Sequence, residues 1–197
     1  LIITVPHLDD ETFSLGSYIL NRNQGEPLSF KVPSSHVYES SVIPSDVLII
    51  VFCSGGKHNK EARLDTFRKV CQEYKASYII FDFDDENMYK NPMPVYIDLL
   101  YAVFGSIDVL DVCTVSEGDL HQEHFLVSRV TKIACKKFLS KLRSLREFRQ
   151  PMENFDLTEY PVIVPEHKNK KRLCSLYGTE TQPYYEERFR VLWECSK

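Results

Sequence analysis

"VLIIVFC" occupies residues 47–53, an unbroken apolar run in which four of the seven side chains are β-branched. A strand with one wet face alternates apolar and polar residues; an unbroken run marks a strand covered on both faces. The centre of a parallel sheet is such a place. Downstream, "SGGKHNKEARLDTFRKVCQEY" (54–74) reads as a glycine turn and a helix. "SYIIFDF" (77–83) is the next strand, and an acidic loop and a helix around Val95–Phe104 follow it. "VLDVCTVS" (109–116) is another strand. From about His124 a long helix is expected, with Leu126, Val130, Ile133, Phe138, Leu142 and Leu145 three to five residues apart. "YPVIV" (160–164) reads as a further strand, before a polar helix and an aromatic-rich end. Upstream, Leu1–Val5 is a short buried strand and Thr12 to about Arg22 a helix. Residues 24–46 form a long connection with an extra strand at Leu28–Val32. Strand and helix alternate throughout. That predicts an α/β fold, a three-layer αβα Rossmann-like domain with a mainly parallel central sheet, over residues 1–197.

Composition narrows the class. The chain has 197 residues, 43% of them apolar, and a net charge of −4. That is an ordinary globular balance, and no general nucleic-acid binding is expected from it. No apolar run is long enough to span a bilayer, so no transmembrane segment is expected. None of the six cysteines forms a C-x-x-C pair, and most sit in apolar segments. They read as free buried thiols of a reducing compartment, which places the protein in the cytoplasm. The chain begins at Leu1 rather than Met, so the lack of a targeting pattern carries little weight. An oligomer is left open.

The end of the first strand is chemically odd. "PHLDDE" (6–11) places a histidine and adjacent acids where strand gives way to helix. In such folds, sites lie at the carboxyl ends of the strands. Acids at a helix start are ordinarily caps and partners of the helix dipole. However, "GDLHQEH" (118–124) puts two more histidines at the equivalent end of another strand. Imidazole and carboxylate suit a divalent ion such as zinc, and three protein ligands with one open position make a catalytic site. His7, Asp10 and one of His121 and His124 would supply them. Asp9 could then take a proton from an activated water, and the spare histidine could assist the oxyanion or the leaving amine.

These motifs resemble those of the PIG-L/LmbE superfamily of metal-dependent de-N-acetylases. Its signatures read roughly (A/P)-H-P-D-D-E and D-x-H-x-D-H. "SGGKHNKEAR" and "FDFDDENM" resemble two further segments of that family, so the likeness covers a core of about residues 1–140, with a looser part at 141–197. The resemblance implies His7, Asp10 and His124 as metal ligands, Asp9 as general base and His121 as the histidine serving the intermediate or the leaving amine. It also implies Arg63 and Asp85 as substrate contacts. The cofactor would be one Zn2+ per chain, although another divalent metal would fit the same ligands. The departures are Leu8 for proline, Gln122-Glu123 for Pro-Asp, and Thr66 where the family often has glutamate. The implied reaction removes an N-acetyl group from an N-acetylglucosamine-type sugar. Two alternatives stand beside it: an amidase acting on a non-sugar or nucleoside-linked acylated amine, and a binding protein that has lost catalysis.

Other features have plainer readings. "FCSGGKHNK" lacks the spacing of a phosphate loop, and His58 reads as a solvated loop residue. The basic residues of 136–149 read as the solvated face of a packed helix, and 167–172 adds a second basic cluster. Tyr160, Tyr177, Tyr184, Tyr185 and Trp193 read as core, with a sugar-stacking wall as the alternative.

Overall fold

The computed structural model describes residues 1–22, 25–54, 60–85, 87–118, 121–149, 157–177 and 187–195. The apolar run becomes strand β3 (Leu48–Cys53), with all six residues buried. It lies between β1 (Ile2–Val5) and β4 (Ser77–Phe83), parallel to both. β1 also pairs in parallel with β5 (Leu110–Val115), which pairs in parallel with β6 (Leu142–Phe148). Three antiparallel strands complete the sheet: β2 (Val37–Ser41) on one edge, and β8 (Arg188–Glu194) and β7 (Val162–Ile163) on the other. The order is β2-β4-β3-β1-β5-β6-β8-β7. Ile3, Ile50, Val51, Ile79, Ile80 and Val112 are fully buried across its middle.

Five helices among the described residues cover the sheet. α1 (Asp10–Leu20) follows β1 and packs against α2 (Lys60–Tyr74) and α5 (Lys170–Leu176). α4 (Gln122–Lys137) lies over β1, β5 and β6 and packs against α3 (Met93–Gly105). From β1 the chain moves to β3 and β4 on one side, then returns to β5 on the other. A switch point therefore lies between β1 and β5, where the loops leaving their carboxyl ends diverge and open a crevice.

Several expectations are corrected. The long helix stops at Lys137, and residues 142–148 are a strand. Leu142, Leu145 and Phe148 have helical spacing, but Ser144 and Glu147 between them are also buried, and Arg146 is half-buried, against polar and charged partners. Glu147 is fully buried beside Lys132 and Arg190, and Arg146 pairs with Asp111 at 2.6 Å. Hydrophobic periodicity does not register such pairs. Arg143 and Arg146 accordingly belong to a strand, not to a helix face. The extra strand falls at Val37–Ser41, not Leu28–Val32. The strand expected at 160–164 is only Val162–Ile163, and the aromatic-rich end contains β8. His58, the 55–56 glycine turn, Tyr184 and Tyr185 lie outside the described residues.

Candidate metal centre

The crevice gathers the ends of four strands. His7 follows β1, Cys53 ends β3, Asp85 follows β4, and His121 and His124 follow β5. The two halves are tied together below the site. Thr4 of β1 and Thr131 of α4 share a buried hydroxyl hydrogen bond of 2.9 Å, and Cys53 N donates to the Pro6 carbonyl at 2.9 Å.

Three donor atoms converge there. His124 Nε2 lies 3.3 Å from His7 Nδ1 and 3.6 Å from Asp10 Oδ2, and His7 Nδ1 lies 3.2 Å from Asp10 Oδ2. Zinc bonds nitrogen and oxygen donors at about 2.0–2.1 Å, so the edge of a tetrahedral ligand set is about 3.3–3.4 Å. The edges of the triangle, 3.2–3.6 Å, bracket that length, and its donors are of the kind such an ion takes. The residues present therefore fit a divalent metal. On its far side, His7 Nε2 is 3.0 Å from Asp85 Oδ1, the carboxylate contact that fixes ring orientation in metal-bound histidines. Asp10 is also tethered within its loop, where its Oδ2 accepts His7 N–H at 3.0 Å.

The electrostatics favour added positive charge. Burial works against a charged His7, yet Asp10 and then Asp85 outweigh it and raise its pKa to about 10. Burial likewise opposes ionised Asp10, but His124 and His7 hold its pKa at about 2. A proton on His7 thus occupies the place in the charge balance that a cation would take. Asp9 has its pKa raised, chiefly by burial and by Asp10, with Arg63 and His7 acting the other way.

Solved structures sharing this fold include a deacetylase of the teicoplanin biosynthetic pathway, 10% identical, covering 96% of each chain at a TM-score of 0.68. The A40926 pseudoaglycone deacetylase is 12% identical and covers 100% of this chain and 98% of its own, at a TM-score of 0.65. The fold is that of the PIG-L/LmbE-like deacetylases. It is not confined to them: the 4-carboxy-2-hydroxymuconate hydratase GalB of Pseudomonas putida is 12% identical over 100% of this chain and 97% of its own, at a TM-score of 0.65. No family model and no curated protein matches the chain.

Within this PIG-L/LmbE-like fold, the seven residues singled out by sequence lie around one crevice. His121 is the residue preceding α4, its side chain makes no capping bond, and its ring centroid lies 5.1 Å from that of His124. Asp9 is the residue preceding α1, but its side chain makes no capping bond; Oδ1 instead accepts from Arg63 Nη2 at 3.1 Å. Arg63 and Asp85, expected to contact substrate, face Asp9 and His7 in the free protein. Thr66 turns its hydroxyl to the Ala62 carbonyl of its own helix. Beside His121 is a cavity of about 570 Å³ lined by Tyr89, Asn91, Met93, Gln122, Phe125 and Leu126.

Three residues escaped sequence reasoning. Glu11, third acid of the motif, is fully buried; Thr12 donates to its Oε1 at 2.8 Å, and burial raises its pKa well above the usual range. Its Oε2 has no hydrogen-bond partner. Cys53 lies close enough to His7 and Asp85 to form a second candidate donor group. Tyr177 donates its hydroxyl to the Leu8 carbonyl at 2.7 Å. Only the motif spacing at Glu11 carried a signal in the sequence.

Proposed function

We propose that the protein is a zinc-dependent de-N-acetylase acting on an N-acetylglucosamine-type sugar, within a three-layer αβα domain. The observation carrying this reading is the His7–Asp10–His124 donor triangle, with Asp9 beside it and His121 next to His124. When bound, the ion polarises the amide carbonyl and lowers the pKa of the attacking water. Asp9 accepts the proton that this water gives up, and the Arg63 guanidinium orients the Asp9 carboxylate. The carbon–nitrogen bond breaks, releasing acetate, and His121 supplies a proton to the departing amine. Asp85 holds the His7 ring, and in this reading Arg63 and Asp85 also meet the sugar hydroxyls. The cavity beside His121 has a volume suited to the rest of a small substrate. Four buried free thiols fit the cytoplasmic location proposed with this reading.

The test is an acetate-release screen of the zinc-loaded protein over acetylated sugars, nucleotide sugars, glycolipid head groups and non-sugar amides. Release from the sugar compounds is expected. Release from non-sugar amides alone would replace the sugar reading with the amidase one. No release from any compound, with zinc bound, would remove the deacetylase reading.

A further inference from the structure

The loop that carries His7 and leads into Asp10, residues 6–9, leaves a strand and enters a helix within four residues. Three of its main-chain carbonyls are held by hydrogen bonds. Pro6 O accepts from Cys53 N at 2.9 Å, and Asp9 O accepts from Thr12 N and Phe13 N at 3.0 and 3.1 Å. Leu8 O is held from much farther along the chain, by the hydroxyl of Tyr177 at 2.7 Å. Leu8 stands where the PIG-L/LmbE-like signature has proline, so the loop lacks a ring that fixes φ. Its side chain is fully buried, and its carbonyl is tied down from outside the loop.

Tyr177 is itself held from a clamped platform. It closes α5, whose first residue, Lys170, is buried and paired with buried Glu187. Both reach main-chain groups on one rung of α1. Lys170 Nζ donates to Phe13 O at 2.9 Å, and Glu187 accepts from Ser17 N at 2.6 Å and Tyr18 N at 2.9 Å. The Tyr177 ring also packs on Phe13, with centroids 5.9 Å apart.

We propose that Tyr177 is a positioning residue for the metal centre: its hydroxyl, presented from α5 clamped on α1, fixes Leu8 and so sets how His7, Asp9 and Asp10 project. Its functional consequence rests on the metal reading given above. The 197-residue protein and its Tyr177→Phe variant, which loses a single oxygen, are compared by zinc competition, amide hydrogen exchange and melting. Outer-shell partners of metal ligands typically carry about 10–100-fold in affinity. Tyr177→Phe is expected to bind zinc at least about tenfold more weakly and to exchange faster within residues 6–13. Exchange in β3 and α3 stays unchanged, and the metal-free melting midpoint moves by no more than a few degrees. Unchanged zinc affinity overturns the proposal, as does exchange that accelerates evenly over the chain. If the unaltered protein takes up no zinc, the metal reading fails instead. Faster exchange confined to residues 6–13 then upholds the role of Tyr177 in fixing the loop, and its absence overturns that role too.

Discussion

Asp9 and Asp10 are neighbours of the same chemical type, yet their surroundings push their ionisation in opposite directions. Asp10 faces two imidazoles and is held ionised; Asp9 faces Arg63 and keeps a raised pKa. His7→Ala or His124→Ala should therefore abolish stoichiometric metal, read by elemental analysis of purified protein. Asp9→Asn should retain the metal and lose acetate release by about 100-fold or more, the usual scale for a general base. Metal binding must also displace the His7 proton. Apparent zinc affinity should rise about tenfold per pH unit from pH 6 to 8, and calorimetry in buffers of different ionisation enthalpy should register the released proton. Away from the site, Asp111 is buried but accepts a hydrogen bond from Ser144 and faces Arg143 and Arg146, which hold its pKa at about 2. Its folded pKa is depressed, so its contribution is complete above the unfolded carboxylate range and disappears as pH falls from about 4 to 2. That contribution is about 2 kcal/mol. Asp111→Asn should flatten the stability profile in that window, measured by urea unfolding at several pH values.

At the level of elements, β6 shows why part of the fold was hidden. Lys132 of α4 and Arg190 of β8 both pair with the fully buried Glu147 of β6, and Ser128 of α4 donates to it at 3.0 Å. A charged residue at the centre of a strand reads as solvent-facing until its partners are known, and those partners come from other elements. The same holds for Lys170 of α5, one member of the second basic cluster: it is buried on Glu187, whereas Arg172 is exposed and pairs with Glu73 at 3.0 Å. Removing one member of a buried pair strands the other. Glu187→Ala should cost about 3–5 kcal/mol in denaturant unfolding, whereas Lys171→Ala, an exposed neighbour, should cost under about 0.5 kcal/mol.

Across the whole molecule, the proposed metal would be linked to folding. A ligand bound only by the native state stabilises it by about 2.7 kcal/mol at a free concentration 100 times its dissociation constant. For a chain of this size that corresponds to about 5–10 °C. Chelator-treated protein should melt lower by that amount and recover on adding zinc; equal melting midpoints would show that the triangle holds no ion. The same fold serves deacetylases and a hydratase, so the scaffold provides the crevice while the side chains at its rim decide the reaction.

By itself, the sequence determined the parallel centre of the sheet and the two histidine-bearing strand ends, because both are written in local patterns: unbroken apolar runs, and ligand-type residues at strand-to-helix turns. From spacing and residue type it equally nominated His7, Asp10 and one of His121 and His124 as donors, and the family resemblance implied the choice of His124. Only the tertiary structure decided that their donor atoms form a triangle with edges of 3.2–3.6 Å, that Asp9 turns to Arg63 rather than capping its helix, and that β6 is a strand. Leu8 shows the division most clearly. Locally it is a proline lost; in the folded chain its carbonyl is held by Tyr177, 169 residues away. Contacts between elements so distant in sequence leave no local periodicity, because their energy comes from partners that only folding brings together.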